Sequence, residues 1–312
     1  MITKIKSSIY KFLILGLNAI PKSIKLPFFS IIRDSRLPNN KFYRDLKVFG
    51  IFSVKTSINN FNIIGTGGPQ DNSLFWKGIS EAIEPETIWI WNKIAPLLNN
   101  VIDIGANIGI YSLLTKAIRP ECFVIAFEPS RGTFSELCNN VVANNSDIKC
   151  EKIALSNKIG ELTFYDSIHP HQTSASLSHR MQEVNSTMTN EVTPYNVHVE
   201  TLDSYLLKNP LLSLDLIKID VELHEREVFE GMTNTIVTLK PMLIFECIFQ
   251  DIADELQSFL IKHDYVFFHL NGKTHPPTIN KVENLTGRMN NEWNYFACPK
   301  DKEAEIFALI NL

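Results

Sequence analysis

A short glycine-containing segment of this chain has the residue types and spacing of a nucleotide-binding turn. Gly105 and Gly109 follow an apolar run at 101–104, and apolar residues at helical spacing come next. This order of strand, turn and helix brings backbone N–H groups and a helix N-terminus close to a bound ligand. Glu128 ends a second apolar run about 20 residues later, where nucleotide-binding folds place the carboxylate that contacts ribose hydroxyls. The segment therefore predicts a site for an adenosine-containing ligand.

The charge of this turn favours a positively charged adenosine ligand. Asn107 stands where the second glycine of the dinucleotide fingerprint G-x-G-x-x-G would be, and Asp103 lies two residues before the first glycine. A carboxylate there repels a pyrophosphate but suits an ammonium and a sulfonium. S-adenosylmethionine carries both groups and is the predicted cofactor, while a nicotinamide-dependent oxidoreductase is the less favoured alternative. The predicted cofactor-binding residues are Asp103, Gly105, Ala106, Asn107, Gly109, Glu128 and Pro129.

A further group of polar residues lies at the end of the apolar run 214–221. Asp220, Glu222 and His224 occupy alternate positions, which an extended backbone would direct to one side. The unperturbed pKa of histidine lies close to neutral pH, so His224 could act as a general base, and a carboxylate beside it could orient it. We therefore predict that these three residues are catalytic, with Asp220 either orienting His224 or acting as the base itself. The alternative is an N-cap with first-turn acids for the helix that follows.

Two residue groups could suggest a metal. His169, His171 and His179 lie close in sequence, but no cysteine pair or H-E-x-x-H spacing accompanies them. Asp220 and Glu222 could hold a hard cation such as Mg²⁺, although two carboxylates on one short stretch are a weak indication. No metal is predicted.

The composition is that of a globular protein without affinity for polyanions. The chain has 312 residues, 45% of them hydrophobic, a net charge of −4 and a pI near 6.1, so it lacks the positive field that nucleic acid binding requires. Its five cysteines form no C-x-x-C pair, which indicates reduced thiols and a cytoplasmic protein. Residues 1–30 include a basic amphipathic segment too short to span a bilayer, and we expect it to pack on the domain or to contact a membrane surface peripherally.

From residue 99 onward, apolar runs alternate with helical periodicity. This alternation predicts an α/β fold with a doubly wound, mostly parallel, Rossmann-like sheet in a domain over 99–312. Residues 1–98 are expected to form an N-terminal extension, with a basic helix, short strands around an Asn59-Asn60 turn, and further helices. The polar stretch 169–196 has no clean period and is predicted to be a loop insertion that selects the acceptor. The predicted strands of the domain are 101–104, 122–127, 148–155, 161–165, 197–202, 214–221, 242–249, 265–270 and 294–298; the helices are 109–118, 132–143, 224–232 and 252–262.

Five short motifs occur in a fixed order between residues 99 and 250. They are Val101-Ile-Asp-Ile-Gly-Ala-Asn-Ile-Gly109, Ala126-Phe-Glu-Pro129, Thr173-Ser-Ala-Ser-Leu177, Val199-Glu-Thr-Leu-Asp203 and Ile217-Lys-Ile-Asp-Val-Glu222. As a set they resemble the FkbM family of S-adenosylmethionine-dependent methyltransferases. The resemblance implies the class I methyltransferase sheet and O-methylation of a hydroxyl on a small-molecule, glycan or lipid-linked sugar acceptor.

One residue departs from the family pattern. The family usually reads Asp-Val-Glu-Gly-His-Glu, whereas Leu223 stands at the glycine position of residues 220–225. A glycine there allows a positive φ, which leucine adopts only at a cost. A non-catalytic S-adenosylmethionine-binding or interaction protein is therefore the alternative function.

Overall fold

The protein consists of strands that alternate with helices. The computed structural model describes residues 14–17, 19–34, 45–167, 177, 192–287 and 292–310. The strands are β1 (Phe49–Val54), β2 (Phe61–Thr66), β3 (Asn100–Ile104), β4 (Phe123–Phe127), β5 (Lys149–Glu151), β6 (Ala154–Leu155), β7 (Gly160–Ser167), β8 (Val192–Glu200), β9 (Leu216–Ile219), β10 (Met242–Glu246), β11 (Tyr265–Asn271), β12 (Thr278–Lys281) and β13 (Asn294–Pro299). The helices are α1 (Lys22–Asp34), α2 (Pro69–Lys77), α3 (Ile79–Ala82), α4 (Pro85–Ile94), α5 (Ile110–Ile118), α6 (Arg131–Ala143), α7 (Leu202–Lys208), α8 (Glu225–Glu230), α9 (Thr233–Leu239), α10 (Gln250–Lys262) and α11 (Glu303–Ile310).

Eight strands form one central sheet in the order β12-β11-β13-β10-β9-β3-β4-β5. Strands β10, β9, β3, β4 and β5 are parallel neighbours, whereas β13 runs antiparallel to both β10 and β11. The strand order reverses between β3 and β9, and ligands of open α/β sheets bind at such a switch point. The predicted α/β fold with a doubly wound, Rossmann-like sheet is confirmed.

Both faces of the central sheet are covered by apolar side chains. Because successive residues of a strand point to opposite faces, Val101 of β3 belongs to one apolar cluster, while Ile102 and Ile104 belong to another. The cluster with Val101 also contains Phe29 of α1 and Trp91 of α4, both fully buried. The N-terminal segment therefore shares a core with the central sheet.

The hairpin of β1 and β2 supports the glycine-containing turn through α6. The two strands pair antiparallel around the predicted Asn59-Asn60 turn. The buried side chain of Asn140 in α6 accepts a hydrogen bond from the Ile64 amide of β2, at 2.9 Å, and donates one to the Ile108 carbonyl, also at 2.9 Å. One side chain thus links the edge of the hairpin to the turn after β3.

A second, three-stranded sheet with the order β6-β8-β7 corrects two predictions. The strand predicted over 148–155 is two strands in different sheets, since β5 ends at Glu151 and pairs with β4, whereas β6 begins at Ala154 and pairs with β8. The predicted loop 169–196 extends too far, since 192–196 pair with β7 as part of β8, where Val192, Thr193 and Tyr195 favour a strand. Apart from Leu177, residues 168–191 lie outside the described residues, and so do His169, His171 and His179.

The first described helices pack on the hairpin. Phe29 of α1 is fully buried, and its ring centroid lies 5.4 Å from that of Trp76, with the two rings tilted by 42°, while Lys25 lies over the rings of Phe29 and Phe49. Helix α1 therefore packs on the domain, whereas residues 1–13 and 18, which include most of the predicted amphipathic run over 9–20, lie outside the described residues. Within the described ranges, no helix has the length and apolar character needed to cross a bilayer.

Candidate active site

A cavity of about 410 Å³ opens at the carboxyl ends of the parallel strands. The residues directly after β3, β4 and β9 line it, and β10 contributes its last residue. The structure brings most of the predicted site residues to this wall, namely Gly105, Asn107, Glu128, Pro129, Asp220, Glu222 and His224. It places Asp103, Ala106 and Gly109 behind the wall. Leu177, the last residue of the Thr-Ser-Ala-Ser-Leu motif, also lines the cavity.

Gly105 is required where two loops of the site touch. Its φ is +77°, and a Cβ built on it would lie 1.8 Å from the backbone oxygen of Asp220. The amides of Gly105 and Ala106 both donate to the Phe127 carbonyl, at 3.0 and 2.9 Å. The loop after β3 is therefore held against β4 and against the end of β9, and no side chain fits between them.

Glu128 joins the loop after β3 to the loop after β4. Its two carboxylate oxygens accept hydrogen bonds from the amides of Asn107 and Ser130, each at 2.9 Å. Asn107 has a φ of +51°, and its own side chain accepts a hydrogen bond from the Ile108 amide at 2.9 Å. Each oxygen of a carboxylate has two lone pairs, so Glu128 can bind these amides and also accept bonds from ligand hydroxyls.

Asp103 lies one layer behind the cavity wall. It is 1% exposed, and its carboxylate accepts a hydrogen bond from the Ser112 hydroxyl at 2.6 Å. Burial raises the pKa of Asp103, while Lys218 and the Ser112 hydroxyl act to lower it. The side chain can thus influence a ligand through its charge and through the position of α5, rather than through the direct contact expected from the sequence.

An ion pair holds the first of the predicted catalytic residues. Lys218 donates to Asp220 at 2.8 Å, and the ammonium lies 4.5 Å from the centre of the Tyr111 ring. Burial alone would lower the pKa of Lys218, but Asp220, Glu84 and Asp103 raise it above its usual value. The lysine is therefore a permanent cation beneath the cavity, and it fixes one oxygen of Asp220.

Two carboxyl groups that the sequence did not single out stand beside Asp220. One oxygen each of Glu84, Asp220 and Glu246 lie within 4.8 Å of one another. Tyr111 donates to Glu84 at 2.7 Å and Trp293 donates to Glu246 at 3.0 Å. Burial is the main cause that raises the pKa of both glutamates. Such oxygen ligands also suit a divalent cation, although the Lys218 ammonium already supplies Asp220 with a counter-charge.

Residues 222 and 223 have a strained backbone. Glu222 and Leu223 have φ values of +53° and +74°, in the region that disfavours side chains with a Cβ. The carboxylate of Glu225 accepts hydrogen bonds from the amides of Val221 and Leu223, both at 3.3 Å. The Leu223 side chain is only 6% exposed and packs in the apolar cluster on one face of the sheet. The position at which the family pattern has glycine therefore has a positive φ in this chain, although leucine occupies it.

The backbone strain at Leu223 should invert the usual ranking of alanine and glycine. Both Leu223→Ala and Leu223→Gly lose buried apolar surface. A residue with a Cβ adopts the positive φ at a cost of roughly 1–2 kcal/mol, and only the glycine variant avoids this cost. We expect the glycine variant to be the more stable of the two by about 1 kcal/mol in urea unfolding. At Val228 inside α8, the same pair of substitutions should show the ordinary order, with glycine about 1 kcal/mol less stable. If the alanine variant were more stable than the glycine variant at both positions, backbone strain at Leu223 would be contradicted.

His224 lines the cavity but does not contact Asp220 through a hydrogen bond. Its Nε2 lies 2.9 Å from the Ser156 hydroxyl, and its Nδ1 lies 3.4 Å from a carboxylate oxygen of Glu227. Burial lowers the pKa of His224 to about 4. The imidazole is therefore neutral at pH 7, and Asp220 does not orient it in the way that the sequence suggested.

The depressed pKa of His224 predicts a loss of stability in acid. Because the folded-state pKa of about 4 lies below the unfolded value, the unfolded chain binds the proton first as the pH falls below 6.5. We expect the stability of the wild type relative to His224→Asn to fall by about 2 kcal/mol between about pH 7 and pH 5. Urea unfolding at both pH values measures this difference, with His198→Asn on the exposed side of β8 as the matched control. If the difference in unfolding free energy between the wild type and His224→Asn did not change with pH, a buried, neutral His224 would be contradicted.

The profile described as "Methyltransferase FkbM domain" matches residues 103–267, just over half of the chain. Among curated relatives, Methyltransferase 1 of Beauveria bassiana is 29% identical over 43% of this chain and 58% of its own length. The hexuronic acid methyltransferase AglP of Haloferax volcanii is 25% identical over 53% and 58%, and the 31-O-demethyl-FK506 methyltransferase FkbM of Streptomyces tacrolimicus is 28% identical over 43% and 59%.

The chain spans about three fifths of the length of these relatives. Among solved structures, the METTL16 MTase domain is 13% identical, with a TM-score of 0.43 over 91% of this chain and 94% of that one. A methyltransferase FkbM from Methylobacillus flagellatus KT is 12% identical, with a TM-score of 0.38 over 88% and 59%. From the match over residues 103–267, this chain belongs to the FkbM methyltransferase family.

Proposed function

We propose that this chain is an S-adenosylmethionine-dependent O-methyltransferase. The observation that carries the proposal is the charge of the cavity: five carboxyl groups line it, and none of its described lining residues is Lys or Arg. A pyrophosphate-containing cofactor would meet no cation there, whereas a sulfonium ligand has the complementary charge. Membership of a methyltransferase family also supports the use of S-adenosylmethionine.

The loops after β3 and β4 are the proposed donor-binding surface. Glu128 would accept hydrogen bonds from the ribose hydroxyls beside those it accepts from the amides of Asn107 and Ser130, since a carboxylate has about four lone-pair sites. Asn107 and Pro129 would form the wall on either side of that carboxylate.

The residues behind this surface would act by giving it its shape and charge. Gly105, Ala106 and Gly109 give the loop its tight path, since a Cβ on either glycine would collide with Asp220 or with Leu137. Asp103 would add negative charge behind the wall, at the end of the site where the ammonium and the sulfonium are expected.

Asp220 is the proposed base. S-adenosylmethionine supplies a methyl group already activated on a sulfonium, so catalysis depends mainly on alignment of the acceptor and removal of its proton. Lys218 binds Oδ2 of Asp220 at 2.8 Å and leaves Oδ1 for the acceptor hydroxyl. Glu222 and His224 line the same cavity and are proposed to position the acceptor, with neutral His224 as the alternative base.

A hydroxyl of a sugar or a polyketide-type molecule is the proposed acceptor class. Two relatives at 25% and 28% identity carry names that refer to a hexuronic acid and to an FK506 derivative. The cavity of about 410 Å³ is in the range that small-molecule sites occupy. These observations support small hydroxylated acceptors without specifying one.

Calorimetric titration with S-adenosylmethionine tests the proposal. We expect micromolar binding, weakened about tenfold or more by Glu128→Ala, since a hydrogen bond to a charged group contributes about 1.5–3 kcal/mol. Asp103→Ala should weaken binding through the loss of its charge, Glu121→Gln at the surface should leave it unchanged, and NADH should not bind. Absence of donor binding would contradict the proposal. Binding without formation of S-adenosylhomocysteine from any hydroxylated acceptor would favour the non-catalytic alternative.

A further inference from the structure

Helix α1 has apolar side chains on two sides, and one of these sides faces solvent. Lys25 and Phe29 lie on the packed side and are 3% and 0% exposed. Ile24, Phe28 and Ile31 are 57%, 42% and 70% exposed. Because residues at i, i+4 and i+7 share one side of a helix, these three form a continuous row, the α1 stripe. Single exposed apolar residues are common, whereas a continuous group of them marks a surface that binds something.

The packed side of α1 holds the α1 stripe in place. Arg33 donates to the Phe75 carbonyl of α2 at 3.5 Å, and its guanidinium carbon lies 4.7 Å from the centre of the Phe75 ring. Leu26 packs against the apolar cluster that also contains Phe29. Helix α2 in turn supplies part of the cavity wall. The α1 stripe therefore belongs to a folded part of the protein, next to the helix that borders the cavity.

The charge of the chain is divided unevenly along its length. Residues 1–47 contain ten of the 30 Lys and Arg residues but only two of the 34 Asp and Glu residues. This region therefore has an excess of eight positive charges, whereas residues 48–312 have an excess of twelve negative charges. An anionic surface attracts the first region and repels the second, so it favours an approach through the part of the chain that contains α1.

We propose that the α1 stripe docks on an anionic lipid bilayer, with Ile24, Phe28 and Ile31 at the boundary between headgroups and acyl chains. This boundary takes up apolar side chains, while anionic headgroups attract the basic residues of the same region. A second copy of the chain would also cover the apolar row. However, a two-fold contact through α1 would bring two positively charged regions together, which is unfavourable. An anionic bilayer complements both the apolar row and the charge.

Vesicle flotation with the full chain tests this docking surface. Vesicles of phosphatidylcholine with phosphatidylserine are compared with vesicles of phosphatidylcholine alone, and neither experiment needs an acceptor or the methyl donor. We expect binding to the anionic vesicles to be at least about tenfold tighter than to the neutral ones. Higher salt should weaken binding to the anionic vesicles, because it screens the attraction between the basic residues and the headgroups.

Glutamine substitutions test the contribution of the apolar side chains. The combined variant Ile24→Gln, Phe28→Gln, Ile31→Gln should bind anionic vesicles at least about tenfold more weakly, since it keeps the charge of the region but loses the apolar row. Ile31→Gln alone should weaken binding at least about threefold. The matched control replaces three apolar residues that are similarly exposed but lie on three different helices, α7, α9 and α10, and it should bind like the wild type: Leu207→Gln, Val237→Gln, Ile261→Gln.

Several results would overturn the inference. One is the absence of binding to anionic vesicles, and another is equal binding to anionic and neutral vesicles. A third is that the combined α1 variant and the single Ile31→Gln variant, both with intact thermal melts, bind as tightly as the control variant. Sedimentation velocity without lipid covers the remaining occupant. A dimer that the combined α1 variant dissociates and the control variant does not would assign the α1 stripe to a second copy of the chain instead.

Discussion

Asp220→Asn is expected to lower turnover by about 10²- to 10⁴-fold while leaving the affinity for S-adenosylmethionine nearly unchanged. Asparagine keeps the size of the side chain and can still accept the hydrogen bond from Lys218, which reaches Oδ2 at 2.8 Å, but it cannot take a proton from a hydroxyl. The loss should therefore appear in kcat and not in donor binding. The measurement is the formation of S-adenosylhomocysteine with a hydroxylated acceptor, next to calorimetric titration with the donor.

A structural role for Asp220 would give a different result. Removing its charge leaves Lys218 buried with only Glu84 and Asp103 as nearby counter-charges, so a mainly structural carboxylate would show reduced stability and equal losses of turnover and donor affinity. Thermal melts detect the first of these effects. Asp254→Asn on exposed α10 is the control and should alter neither quantity.

Gly105→Ala is expected to destabilise the fold by about 3 kcal/mol or more. The added Cβ would lie 1.8 Å from the backbone oxygen of Asp220, and the residue would have to keep a φ of +77°. Relief of this overlap requires the loop after β3 to move away from the end of β9, which displaces Asp220. Donor binding and the proposed base would therefore both be affected, and urea unfolding with donor titration measures the two consequences.

Gly132 offers a matched control within the same domain. A Cβ at this position, in the first turn of α6, meets no atom within 4 Å. Gly132→Ala should therefore leave stability unchanged or raise it by about 0.5–1 kcal/mol, because alanine reduces the freedom of the unfolded chain. If both alanine variants had the same stability, the close approach at Gly105 would be contradicted.

The sequence correctly predicted those parts of the fold in which a short sequence pattern is enough to determine the type and position of an element. β3, the glycine turn and α5 are adjacent in sequence and in space, and Glu128 follows β4 directly. Helix α7 was not predicted, because the strand predicted over 197–202 includes its first residue; the alternation of Val197 and Val199 ends at the Thr201 N-cap, and Leu202 begins the helix. The helix predicted over 224–232 ends at Glu230, and α9 follows it.

The site was only partly predictable because two of its acids, Glu84 and Glu246, lie in the sequence outside the motifs that identified the others. Glu246 ends an apolar run in the same way as Glu128 and Asp220, so this shared signal could have identified it. Glu84 has no such signal, since its position depends on how α3 and α4 pack against Tyr111. Asp103 was expected in the cavity wall, but it lies at a position of β3 whose side chain points toward Ser112.

The position of β13 has a consequence for the order in which the chain is made. This strand lies between β10 and β11, although it follows both in sequence. During synthesis from the N-terminus, β10 and β11 leave the ribosome with unpaired edges that only β13 can fill. The central sheet therefore cannot close until residues 294–299 have been translated, and a chain truncated before residue 294 keeps two strand edges available for aggregation.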